Sequence, residues 1–296
     1  MPQHKGRQKP PSFRLMGASA MNLLAPTGVS GLREPKDWSE LFSRFSHIVL
    51  VANSDSVKID ELQAAYPDTA IFVFFNKVYK VLDRPFTGRS LLISRGQPKG
   101  ANIVYRNEVA EVLRLFSPET FLGILNMRLS ETERLNESAD YLDTPTGHLD
   151  LVGYCGEFYP QDKLPTSGFA IAVWLAEQKV PGQIVLAGFT GQRSDKWKVV
   201  SAHDWTFEQV FLKLLARQGN VAFHGGLAKS SYETLLQRFP EFPVSAISST
   251  VAEVLSSRQN ASEAQIDKLI SLTNVLRSFD LFLRGLKPGF LKKKKK

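Results

Sequence analysis

His47-Ile-Val-Leu-Val-Ala52, stopped abruptly by Asn53-Ser-Asp-Ser56, decides the fold class of this chain. The run is apolar without alternation, the pattern of a strand buried on both faces, as in a parallel sheet covered by helices. The polar stop then reads as a loop at the strand's carboxyl end. Residues 57–66 suit a short helix closed by Pro67-Asp68, and Ala70-Ile-Phe-Val-Phe-Phe75 repeats the buried-strand pattern up to Asn76. Strand, helix, strand is a βαβ unit, and it predicts a parallel sheet.

Further strands are expected at Ser90-Leu-Leu-Ile-Ser94, Asn102-Ile-Val-Tyr105, Gln183-Ile-Val-Leu-Ala-Gly188 and residues 221–223. Helical spacing predicts helices over 107–116, 169–179, 207–216 and 230–239, and a long one over about 265–283. Arg95-Gly-Gln-Pro-Lys-Gly100 has the chemistry of a turn. Residues 128–150 are polar and acid-rich, and read as a surface excursion. The expected architecture is a doubly wound, Rossmann-like α/β fold with a mostly parallel sheet and a helical C-terminal extension. Its parts are a flexible N-terminal arm (1–44), an α/β domain (45–260), a C-terminal helix (261–286) and a basic tail (287–296).

The chain has 296 residues, 43% of them hydrophobic and 22% charged, a composition that excludes disordered, collagen-like and disulfide-scaffold classes. Its net charge of +8 lies in the tails: ten of the 37 basic residues fall within residues 1–14 and 285–296, leaving 27 against 29 acidic residues between them. The body therefore has no overall positive excess to attract a polyanion. The single cysteine, Cys155, can form neither an internal disulfide nor a zinc cluster, which points to a reducing compartment. No apolar run approaches the roughly 20 residues of a membrane span. Leu15 to Ala25 is broken by Gly17, Ser19 and Asn22, unlike a secretory signal, so the expectation is a cytoplasmic protein.

Ligands of open α/β sheets bind beyond the carboxyl ends of the strands. Three expected strands end there in Asn53-Ser54, in Asn76, and in Gly188-Phe189-Thr190. Amides both donate and accept, which suits ribose, base edge or phosphate, although Asn and Gly are also ordinary turn formers. Thr166-Ser167-Gly168 opens a helix, whose free N–H groups and positive dipole end can receive an anion; the same residues also serve as a plain N-cap. Walker A and G-x-G-x-x-G patterns are absent, against ATP hydrolysis by that route and against NAD binding. His203 precedes a helix and can exchange a proton near neutral pH. Glu208 follows in that helix's first turn, on a different face. The same region reads equally as a surface histidine before a helix capped by Asp204. His47, His148 and His224 are weaker candidates.

In this order, the motifs resemble those of the sialyltransferase-like glycosyltransferases, families 29 and 42, across about residues 47–215. Val51-Ala-Asn-Ser54 resembles the start of the long motif, whose asparagine contacts the CMP part of the donor, and Phe75-Asn-Lys-Val-Tyr79 its second asparagine block. Leu164-Pro-Thr-Ser-Gly168 with Ile184-Val-Leu-Ala-Gly188 resembles the short motif. His203 with Glu208 resembles the His-x4-Glu of the very short motif, whose histidine is the catalytic base in family 29. The cysteines that join the long and short motifs in family 29 are missing. No tyrosine lies between Gly188 and His203 to match those steadying the donor phosphate in family 42; Arg193, Lys196 and Lys198 are the cations available there.

The resemblance implies a GT-A-like variant of the Rossmann fold and inverting transfer of an ulosonic acid, sialic acid or Kdo, from its CMP-sugar to a glycan hydroxyl. His203 would act as base, with Asn53, Ser54, Asn76, Thr166, Ser167, Gly168, Gly188, Phe189 and Thr190 around the nucleotide. It implies no metal and no cofactor besides the donor; no D-x-D is present. Lys292, Lys293, Lys294, Lys295 and Lys296 suit an anionic leaflet carrying a lipid-linked acceptor, or are a plain solvated tail. The alternative reading is a non-catalytic, basic-tailed α/β module binding a polyanion or membrane partner. A methyltransferase-like enzyme ranks last, for want of a glycine-rich loop after the first strand.

Overall fold

The computed structural model describes residues 28–96, 102–191, 202–227 and 231–285. Seven strands, β1 (His47–Val51), β2 (Ala70–Phe75), β3 (Ser90–Arg95), β4 (Phe121–Arg128), β5 (Thr146–Asp150), β6 (Gln183–Ala187) and β7 (Ala222–Phe223), form one sheet. Their order is β5-β4-β3-β2-β1-β6-β7, and every pairing is parallel. Strand order reverses between β1 and β6, whose ends are level: Val51 lies opposite Ala187, and Ala52 N donates to Ala187 O at 2.9 Å. Such a reversal opens a crevice at the carboxyl edge.

Side chains of a strand alternate between faces, and the unbroken apolar runs feed two cores at once. Ile48, Leu50, Ile71, Val73 and Phe75 pack with α1 (Pro35–Phe42), α5 (Ser167–Glu177) and Leu212 of α6 (Trp205–Arg217). Val49, Val51, Phe72 and Phe74 pack with Leu62 of α2 (Ile59–Ala64) and with Val109 and Val112 of α3 (Val109–Leu113). The fold is therefore doubly wound and Rossmann-like. A short α4 (Val152–Gly156) brings Cys155 into the first core. Helix α5 is buried at every position from Gly168 to Ala176, as expected of a helix apolar all round.

Several readings of the sequence change. Residues 28–44 are not a flexible arm: Pro35 starts α1, and Trp38, Leu41 and Phe42 are buried, with Trp38 Nε1 donating to His148 O at 2.6 Å. Residues 102–105 form a turn instead of a strand, because Asn102 Oδ1 accepts from Val104 N at 3.0 Å and Tyr105 N at 3.3 Å and curls the backbone. Residues 128–150 are no surface excursion, since they contain β5 and the buried Glu133, Asn136, Tyr141 and His148. Several polar atoms there pair with one another: Asn126 Nδ2 donates to Tyr141 Oη at 2.9 Å, and Asn126 Oδ1 accepts from Asn136 N at 2.6 Å, while Asn136 Oδ1 is buried with no partner. Strand β4 itself escapes the apolar pattern, because Gly123 (φ +124°) and Asn126 interrupt it.

Among the described residues, those up to Leu227 form one compact unit, and those from Ser231 a second. The second holds α7 (Ser231–Arg238) and α8 (Val244–Gly285). Helix α8 begins about 20 residues before the expected start, directly after Pro243, because no glycine or proline follows until Gly285.

Candidate functional site

Each inner strand delivers a polar residue to the carboxyl edge. Asn53, two residues past β1, donates from Nδ2 to Phe75 O at 2.9 Å, while its Oδ1 is buried with no partner. Asn76, just past β2, sits at φ +25°, a backbone asparagine tolerates better than most residues, and its Oδ1 accepts from Arg95 N at 3.4 Å. Past β6, Gly188 (φ +76°) turns so tightly that a Cβ there would lie 2.5 Å from Val57 Cγ2 and 3.0 Å from Ser54 Cβ. The loops after β1 and β6 are thus in contact. Thr190 N donates back to Gly188 O at 2.9 Å.

The starts of α5 and α6 are clasped together. Thr166 caps α5, its Oγ1 accepting from Phe169 N at 3.2 Å, and Asp204 caps α6, accepting from Phe207 N at 2.9 Å. Glu208 accepts from Thr166 N (2.7 Å), Thr166 Oγ1 (2.7 Å) and Tyr159 Oη (2.9 Å). Tyr159 Oη in turn accepts from Asp204 N at 3.0 Å. Leu164 N donates to Ala202 O at 2.9 Å, and His203 Nδ1 lies 2.6 Å from Leu164 O. A carbonyl can only accept, so Nδ1 carries a proton, and in the neutral imidazole Nε2 then keeps the lone pair.

Burial sets the electrostatics. It lowers the His203 pKa below 6.5; the Leu164 bond opposes this, and the charge of Arg95 adds to it. His203 is half-buried and therefore favours the neutral imidazole. Burial raises the Glu208 carboxyl above its usual 4.5, against the hydrogen bonds from Thr166 and Tyr159. Burial also pushes the Cys155 thiol up to about 12.

The sequence-predicted residues form one chain of contacts. Asn53 bonds to Phe75, whose ring lies 6.5 Å from that of Phe189. Phe189 covers Gly168, where a Cβ would lie 2.6 Å from Cε1. Asn76 meets Arg95, Arg95 Nη1 donates to Pro165 O at 3.1 Å, and Thr166 follows. Two roles change. Gly168 makes room for the Phe189 ring instead of a ligand. Both oxygens of Glu208 are committed to donors from Thr166 and Tyr159, and its hydrogen bonds fasten α6 to the start of α5 and do not include His203. Arg193, Lys196 and Lys198, like the C-terminal lysines, lie outside the described residues.

Three further residues belong here. Arg95, read as the start of a turn, ends β3 and pairs with the fully buried Glu133 carboxylate, and Tyr159 bridges the two helix starts. A charged residue ending an apolar run is the one signal that marks Arg95. His148 is structural, its Nε2 bonded to Asn136 O at 2.9 Å; His224 Nδ1 pairs with Tyr66 Oη at 2.9 Å. A cleft of about 500 Å³ opens from Ser54 toward α2, lined also by Lys58, Tyr79 and Arg84. Among the described residues, no group of three or more His, Cys, Asp or Glu could hold a metal ion, and no helix is long and apolar enough to cross a membrane. No family model, curated protein or solved structure matches this chain.

Proposed function

We propose that the protein is an inverting glycosyltransferase that takes an ulosonic acid, sialic acid or Kdo, from its CMP-sugar and attaches it to a glycan hydroxyl. The carrying observation is the state of His203: Nδ1–H is given to Leu164 O at 2.6 Å, the pKa is lowered, and Nε2 is the remaining acceptor. In the proposed step, Nε2 removes the proton of the acceptor hydroxyl as its oxygen bonds to the anomeric carbon. The bond from that carbon to the CMP phosphate oxygen breaks, and CMP leaves with the electron pair.

In this reading, the first-turn N–H of Ser167, which the Thr166 cap does not take, would receive the charge that develops on the leaving phosphate. Asn53 and Asn76, at the carboxyl edge of β1 and β2, would lie on the nucleoside side of the site. In the same reading, the cationic C-terminus holds the enzyme beside an anionic leaflet bearing its glycolipid acceptor.

A thermal-shift series with CMP, CDP, UDP, GDP and S-adenosylmethionine tests the donor. At a hundredfold excess over Kd, a ligand adds about 2.7 kcal/mol, here roughly 5–10 °C. Selective stabilisation by CMP, and release of CMP from CMP-sialic acid or CMP-Kdo, are expected. No response to CMP, together with heparin retention at physiological salt, would favour the polyanion-binding module.

A further inference from the structure

Arg95 spends its guanidinium in an unusual way. It is only 6% exposed, with Nε donating to Glu133 Oε2 at 3.2 Å and Nη2 held against Glu133 Oε1. Glu133 Oε2 also accepts from Leu129 N at 2.9 Å. A buried ion pair of this kind is seldom worth more to stability than an apolar pair of similar size. What an apolar pair could not do is reach Pro165: Arg95 Nη1 donates to that carbonyl at 3.1 Å.

The carbonyl of Pro165 and the N–H of Thr166 are two edges of a single peptide plane. Arg95, from the sheet, grips the oxygen; Glu208, from α6, accepts the N–H at 2.7 Å. Residues 164–166 are also held by Ala202, His203 and Glu208, which belong to the same segment as the imidazole, and by Phe169 N and Ala170 N of α5, which donate to Thr166. Arg95 also donates its backbone N–H to Asn76 Oδ1 at 3.4 Å. One residue therefore touches the nucleotide-side amide and the peptide that follows the one His203 bonds: Arg95 holds the Pro165 carbonyl, and His203 the Leu164 carbonyl.

We propose that Arg95, oriented by Glu133, is a positioning residue that sets the place of the His203 imidazole relative to the carboxyl edge of the sheet. Its catalytic meaning rests on the glycosyl-transfer reading; the positioning itself does not. The informative variant is Arg95→Lys, made in the full chain. It keeps a positive charge against Glu133, but a single ammonium does not span both the carboxylate and the Pro165 carbonyl as the planar guanidinium does.

Two readouts are taken. The first is CMP release from CMP-sialic acid, with water as acceptor: a fall in kcat of roughly tenfold to a hundredfold is expected, with CMP affinity unchanged within about twofold. The second needs no activity. In ¹⁵N-histidine-labelled protein, the Nδ1–H resonance of His203, assigned with His203→Gln, should be sharp in the wild type and lost to exchange in Arg95→Lys.

Unchanged turnover in a folded Arg95→Lys protein would overturn the proposal. If the wild type proves inactive and blind to CMP, the glycosyl-transfer reading fails and the resonance decides alone; an undisturbed Nδ1–H signal then overturns the positioning role. Should Arg95→Lys not fold, the neutral pair Arg95→Gln/Glu133→Gln takes its place, with the same expected and overturning results.

Discussion

Glu208 accepts two hydrogen bonds from Thr166, one from its backbone N–H and one from its hydroxyl, both at 2.7 Å. The residue that opens α5 is thereby fastened to the first turn of α6, with Tyr159 as the third donor at 2.9 Å. Truncating Glu208 to Ala would leave buried donors unpaired, at a cost of about 3 kcal/mol. Urea unfolding should show that loss as an earlier midpoint with an unchanged slope.

The Glu208 carboxyl also predicts a pH dependence. Its pKa is raised above the usual 4.5 in the folded protein, so folding favours the protonated form. The contribution of this group to stability is therefore greatest below the unfolded value and declines as pH rises through the folded one. Glu208→Gln can still accept from Thr166 N and Tyr159, and should lack that decline. Parallel stability–pH curves for the two proteins would refute the assignment.

If the protein is the proposed glycosyltransferase, His203→Ala should lower CMP release by about 10²–10⁴-fold with CMP affinity nearly intact. Because burial lowers the His203 pKa below 6.5, the imidazole stays neutral into mildly acidic solution. The acid limb of the rate profile should accordingly have its midpoint below 6.5 and vanish in the variant. A midpoint above that value would mean that another group governs the reaction.

Gly168 and Phe189 should behave as a coupled pair. An added Cβ at Gly168 would sit 2.6 Å from the Phe189 ring, so Gly168→Ala displaces the ring and costs roughly 1–2 kcal/mol. In a Phe189→Ala background the clash is gone and only helix propensity remains, worth up to about 1 kcal/mol in favour of alanine. The substitution should change sign between the two backgrounds in a double-mutant cycle. Equal effects would show that the ring does not occupy this place.

Cys155 is buried, and its thiol pKa is pushed up to about 12, so little thiolate exists at pH 8. Native protein should resist Ellman's reagent for as long as it stays folded and react with one equivalent in denaturant. Rapid labelling of the native state would contradict the buried placement.

The strands β1, β2 and β6 and the helices α2, α5 and α6 are legible in the chain itself, because an unbroken apolar run or a helical apolar stripe is a signal written in neighbouring residues. So are the caps Thr166 and Asp204, each recognised by the residue type that begins a helix. The carboxyl-edge asparagines follow from where those strands stop. Strand order, and the contact of the β1 and β6 loops at the reversal, needed the assembled sheet.

Beyond that, the tertiary structure decides. Arg95 and Glu133 are 38 residues apart, and nothing local tells that one is the other's partner. Strands β4 and β5 escaped the pattern because glycines and buried polar residues interrupt their runs, and those polar residues are tolerated only because the fold supplies partners such as Tyr141 and Asn136. Likewise, Glu208 reads from sequence as a first-turn acid; its commitment to Thr166 and Tyr159 appears only when two helix starts meet. Periodicity is a property of a segment, whereas the pairing of buried polar groups is a property of the whole packed chain, and the imidazole's surroundings here are of the second kind.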